Sequence, residues 1–129
     1  MDNSLRPGTK ETLEGLINSG HKMYIWSGVG LRTEVVKRHG LDYLISGIYH
    51  KPLYDYHQRL DELGVPLVPD FVVDDYPEIV LAFGGMWIPP YYFGNANDRE
   101  MERVYRVASQ YAKDGTSDDP YFRAKGVIA

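Results

Sequence analysis

The sequence predicts a single α/β domain built around a mainly parallel sheet. Three observations carry that expectation. Short apolar runs alternate with segments of helical period along the chain. Turn residues such as Ser-Gly, Asp-Asp and Pro-Pro close the apolar runs. A length of 129 residues allows one real core and little more.

Each element has its own warrant. Residues 9–19, TKETLEGLINS, put Leu13, Leu16 and Ile17 on one helical face, with Pro7 ahead and Gly20 suited to the position past the end. KMYIW, 22–26, is short and apolar and reads as a buried strand, followed by a Ser-Gly-Val-Gly turn. LRTEVVKRH, 31–39, groups Leu31, Val35 and Val36, and Gly40 ends it. LDYLISGIY, 41–49, is β-prone, and PLYDYHQRLDELG, 52–64, sets Leu53, Tyr56, Leu60 and Leu63 along one helical side. DFVVDD, 70–75, is the clearest strand: Phe71, Val72 and Val73, then two carboxylates. Pro77 opens a short helix, PEIVLAF, closed by Gly84-Gly85. MWIPP, 86–90, reads as a strand that Pro89 and Pro90 stop. Asn97 with Glu100 forms a capping-box-like start to a helix reaching Lys113, with Met101, Val104, Tyr105, Ala108 and Tyr111 on its apolar face. Residues 115–129 show no clear period, so the expected division is a domain over 1–114 and a loosely held tail over 115–129.

Composition narrows the function. The net charge is −4 with no lysine-arginine block, which disfavours nucleic-acid binding. Cysteine is absent, which excludes thiol catalysis, thiolate metal sites and disulfides. The first residues, MDNSLRPGTK, lack the apolar core of a signal peptide, and the longest apolar run, IVLAF at 79–83, is too short to span a bilayer. A cytoplasmic protein with no membrane partner is expected. Eleven tyrosines, with Tyr91-Tyr92 paired and Tyr54 near Tyr56, serve either as packing surface or as an interaction patch. His21, His39, His50 and His57 show no ligand spacing with one another.

In a parallel sheet, ligands bind beyond the carboxyl ends of the strands. Ser27, Lys51, Asp74 and Asp75 all fall at such ends. Adjacent carboxylates can hold Mg²⁺, which keeps several waters and takes few protein ligands. A lysine can neutralise phosphate oxygens, and a hydroxyl with backbone N–H groups at a helix start can bind an anion. Plainer roles stay open at this point. Ser27 can cap the following helix, Asp74 and Asp75 can satisfy N–H groups at a helix start, and Lys51 can be a solvated surface lysine.

The set "VVDDYPE", "HKP", "YIWSGVG" and "LRPGTKETLEGL" resembles the haloacid dehalogenase-like (HAD) superfamily, mostly Mg²⁺-dependent phosphatases, over residues 5–112. The spacing adds to the order of the motifs: 24 positions from Ser27 to Lys51 and 23 from Lys51 to Asp74. The resemblance implies a Rossmann-like three-layer sandwich of the capless type. It implies phosphate binding by Ser27, Gly28 and Lys51, and weak Mg²⁺ binding by Asp74 and Asp75, with Asp75 the metal ligand in particular. A phosphate-containing ligand follows from the same resemblance.

One part of the family pattern is missing. The family's first motif, an apolar strand ending in Asp-x-Asp, supplies the nucleophile and the general acid-base. That strand belongs just ahead of the segment matching LRPGTKETLEGL, where only MDNS stands, and Asp2 has no second aspartate two residues on. No catalytic residue is therefore assigned. In the family this strand is central, so its loss leaves a gap of roughly 10 Å, two strand spacings, between the strands at 22–26 and 71–73. Those strands can close up and pair, KGVIA at the C-terminus can fill the slot, a second chain can pair there, or the frame can be part of a longer one. The leading expectation is a HAD-like domain inactive as a phosphatase that retains a Mg²⁺ and phosphate half-site. The alternatives are a Mg²⁺-dependent phosphohydrolase completed by another segment or chain, and a non-catalytic module that dimerises through an exposed strand edge. A homodimer is the expected assembly.

Overall fold

The structure, a computed structural model, describes residues 5–28, 32–91 and 95–125. The chain divides into two compact units. One comprises Met1–Leu5 and Thr9–Val68, the other Arg6–Gly8 and Pro69–Ala129. The architecture is mixed α/β, with one parallel and one mixed sheet.

The first unit begins with helix α1, Thr9–Asn18, which buries Leu13 and Leu16. Gly20 ends it: its φ of 97° is left-handed, its N–H donates to the Ile17 carbonyl, and the His21 N–H donates to the Leu16 carbonyl. That bond pair satisfies carbonyls the helix leaves open. Strand β1, Tyr24–Ser27, and strand β2, Gly47–His50, pair in parallel with Ile25 opposite Ile48 and Ser27 opposite His50. Helix α2, Thr33–Arg38, makes the crossover between them. Ile25 and Ile48 share a face and pack with Leu13, Val36, Leu41 and Leu44. Tyr24, Trp26 and Tyr49 lie on the opposite face by strand alternation, with the Tyr24 and Tyr49 rings 6.2 Å apart.

Two boundaries in this unit differ from expectation. The 41–49 segment is not one strand, because Asp42–Leu44 forms a 3₁₀ turn and only the end is extended. Leu41 and Leu44, three apart, are both buried by that turn, and burial overrides β propensity. Helix α3 spans only Tyr56–Glu62, starting after Asp55, which takes a left-handed φ of 46°. Leu53 thus falls outside the helix and is exposed, while Leu60 is buried.

The second unit carries strand β3, Val72–Asp74, helix α4, Pro77–Phe83, strand β4, Gly85–Trp87, helix α5, Glu100–Asp114, and strand β5, Phe122–Arg123. The sheet order is β3–β4–β5, parallel then antiparallel. Met86, Val104 and Val107 form its core, with Phe71, Val73, Ile88, Met101 and Phe122 packed around them. The α4 residues Ile79, Val80 and Phe83 are fully buried.

The described part of the expected tail, residues 115–125, is more ordered than a loosely held tail. It supplies β5, and its Asp119 is buried. The helix start differs too. The residue before α5 is Arg99, and Asp98, not Asn97, accepts the Glu100 N–H at 3.0 Å. Direct pairing of β1 with β3 does not occur among the described residues, since the two strands belong to separate sheets. The proposed slot-filling residues from Gly126 onward, the Val29–Leu31 part of the turn and Tyr92 lie outside the described residues. Among the described residues, no helix is long and apolar enough to cross a membrane.

Candidate functional site

Each candidate residue sits at the carboxyl end of a parallel strand. Ser27 is the last residue of β1, Lys51 follows β2, Asp74 is the last residue of β3 and Asp75 follows it. The structure brings them together in two groups, one in each unit.

In the first unit, the Lys51 N–H donates to the Ser27 carbonyl at 3.0 Å. The β1–β2 register therefore fixes the hydroxyl and the lysine at neighbouring strand ends. Ser27 is buried and Lys51 half-buried. Ser27 does not cap α2: the residue at that cap is Arg32, and no side chain bonds there. Gly28 opens the turn, and a Cβ added to it would stand 2.7 Å from Leu53 Cδ2. That contact is with the tip of an exposed, flexible side chain.

In the second unit, Asp74 is buried and Asp75 exposed. Asp74 Oδ1 accepts the Tyr76 N–H at 3.0 Å, which closes the turn into α4. The helix-start role is thus real for one oxygen of Asp74. The Trp87 indole donates from Nε1 to the Asp75 carbonyl at 2.8 Å and fixes that peptide. The donor set is two adjacent carboxylates, hard oxygen ligands that suit Mg²⁺ held mostly by water. No group of three or more Asp, Glu, His or Cys side chains able to hold a metal occurs among the described residues.

Two polar clusters in the second unit were not anticipated from the sequence. Arg6 grips Asp98 with two bonds of 2.9 Å, Nε to Oδ1 and Nη2 to Oδ2, with both side chains largely buried. The guanidinium bond holds the Asp98 carboxyl below its usual range, against the opposing effect of burial. The second cluster surrounds Asp119, whose side chain is 2% exposed. Its Oδ1 accepts the Tyr121 N–H at 2.9 Å, and its Oδ2 accepts Arg106 Nη2 at 3.2 Å. Arg103 Nε lies 3.0 Å from Oδ2 as an ion pair without hydrogen-bond alignment. Arg103 also contacts Glu100, donates to the Trp87 carbonyl at 2.6 Å and lies 5.4 Å from the Tyr121 ring centre. Asp-Pro at 119–120 was the available turn signal in the sequence.

Compared with known proteins, the chain matches no family model, no curated protein and no solved structure.

Proposed function

We propose that these residues form a HAD-like, capless phosphatase-type domain that binds Mg²⁺ and phosphate weakly and does not turn over phosphate esters by itself. The observation that supports this reading is the placement of Ser27, Lys51 and Asp74–Asp75 at carboxyl ends of parallel strands, in the order and spacing of the resemblance. The strands β1–β2 and β3–β4 pair within separate sheets, and the sequence lacks the strand that in the family pattern stands between them. In this reading Ser27, Gly28 and Lys51 hold phosphate oxygens. Asp75, exposed and with its peptide fixed by Trp87, holds the cation together with Asp74. A bound Mg²⁺ would supply neutralisation of phosphate charge. No apolar strand ending in Asp-x-Asp is present in the sequence, so no residue is assigned to attack phosphorus or to move the proton.

The test is hydrolysis of a generic phosphate ester with Mg²⁺ by the purified chain. No turnover above the buffer rate is expected, because general acid-base assistance alone accounts for about 10²–10⁴-fold and the nucleophile is absent too. Turnover that disappears in Asp75→Asn would overturn the inactive reading in favour of a phosphohydrolase.

A further inference from the structure

The two edges of the β3–β4–β5 sheet are unlike. The β5 edge is two residues long, follows Pro120 and carries Arg123, all features that discourage further pairing. The β3 edge is three residues long and ends in the buried Asp74, but it holds no proline and no basic residue. Phe71, Val72 and Val73 run apolar without a charge or proline. The strand is covered on both faces: Val72 is 4% exposed, while Phe71 and Val73 pack around Met86 and Val107. Continuous apolar sequence buried on both faces belongs to the interior of a sheet. Here it stands at the end of one.

The β3 backbone is only half used by β4. The Val72 N–H donates to the Gly84 carbonyl, and the Asp74 carbonyl accepts the Ile88 N–H, so both residues turn their backbone toward β4. Strand alternation then turns the Val73 N–H and carbonyl to the other side. Among the described residues no strand pairs there. Exposed carboxylates flank this edge, Asp70 before the strand and Asp75 after it. Acidic flanks disfavour pairing with a second copy of β3, since an antiparallel copy centred on Val73 would place Asp75 opposite Phe71, one residue from the partner's Asp70, and so bring carboxylates of like charge close at both ends.

We propose that the β3 edge docks a short extended apolar segment with a lysine or arginine at each end, which adds to the sheet as a strand through Val73. Main-chain bonds to Val73 give the affinity, and the cationic ends meet Asp70 and Asp75. This inference stands whether or not the half-site holds a cation, so its test is run without Mg²⁺.

The probe is a capped heptapeptide, KVTVTVK, titrated into the full isotope-labelled chain at low salt. Saturable amide shifts centred on Val73, with slowed exchange of its N–H, are expected. The same peptide methylated on alternate backbone nitrogens loses binding, and EVTVTVE binds about tenfold more weakly because both end contacts become repulsive. Val73→Pro removes the edge donor and abolishes binding, and the methylated peptide makes the same point if that variant does not fold. No shift at Val73 at millimolar peptide would overturn the proposal, as would equal binding by the methylated or acidic peptide. Concentration-dependent doubling of mass without peptide, with protection at Val73, would overturn it in favour of a second copy.

Discussion

Asp119→Ala removes the carboxylate that ties the 116–123 segment to α5. Its Oδ1 bond to the Tyr121 N–H is a neutral-donor bond of about 1 kcal/mol. The contact with Arg103, side chains 18% and 2% exposed, is a largely buried ion pair without hydrogen-bond alignment, and its loss costs on the order of 2 kcal/mol. Arg106 is half exposed, so solvent screening leaves its contact a few tenths of a kcal/mol. Arg103 keeps its bond to the Trp87 carbonyl and its contact with Glu100, so it is not left as an orphaned buried charge. The expected loss is about 3 kcal/mol for Asp119→Ala. It is about 2 kcal/mol for Asp119→Asn, which keeps an acceptor for Tyr121 but loses the charge. The assay is urea unfolding followed by Trp87 fluorescence in a Trp26→Phe background, so that one indole reports on the second unit. The midpoint should fall with the slope unchanged. A loss below about 0.5 kcal/mol in Asp119→Ala, the range of ordinary surface substitutions, would refute the reasoning.

Two further outcomes follow from the second unit. The Asp98 carboxyl is held below its ordinary value of 3.8 in the folded state, first by the Arg6 bond. Its stabilising contribution is therefore complete above the unfolded value and lost as pH falls through the lower folded one. An acid titration of unfolding free energy should show a steeper loss below pH 3.8 in the parent than in Asp98→Asn, and parallel curves would contradict this. Gly85→Ala should unfold the second unit or cost it more than about 3 kcal/mol, since a Cβ there would stand 2.0 Å from the Val72 carbonyl oxygen with φ at 145°. Retained Trp87 fluorescence and an unchanged urea midpoint would contradict it.

Much of the element order was legible because period and punctuation agreed. Phe71–Val73 followed by Asp74-Asp75 and Pro77 marks a strand, a turn and a helix start, and all three are present. Glycines 20 and 40 close the helices they were expected to close. Pairing was not legible, because an apolar run declares itself a strand without naming its neighbour. The separation of β1 and β3 into different sheets is of that kind. The role of Asp119 was hidden because its partners Arg103 and Arg106 lie a helix away, on a face whose charges look solvated in sequence. The Asn97 cap failed through a one-residue shift: Asp98 accepts the Glu100 N–H and also pairs with Arg6, so one side chain serves both needs. For the candidate site, the carboxyl-end rule picked Ser27, Lys51 and Asp74 from the strand pattern alone. The bond from Lys51 to Ser27 depended on register, which the sequence does not carry.

The proposed half-site is tested most directly by amide spectra of the isotope-labelled chain under successive additions of Mg²⁺ and inorganic phosphate. Mg²⁺ alone is expected to shift Asp74, Asp75 and Tyr76 with millimolar affinity and to leave Asp118, an exposed carboxylate beside Asp119, unchanged. Phosphate added with Mg²⁺ is then expected to shift Ser27, Gly28 and Lys51, and Asp75→Ala should abolish both responses. Equal shifts at Asp118 and Asp75, or phosphate shifts that spare Ser27 and Lys51, would contradict the half-site.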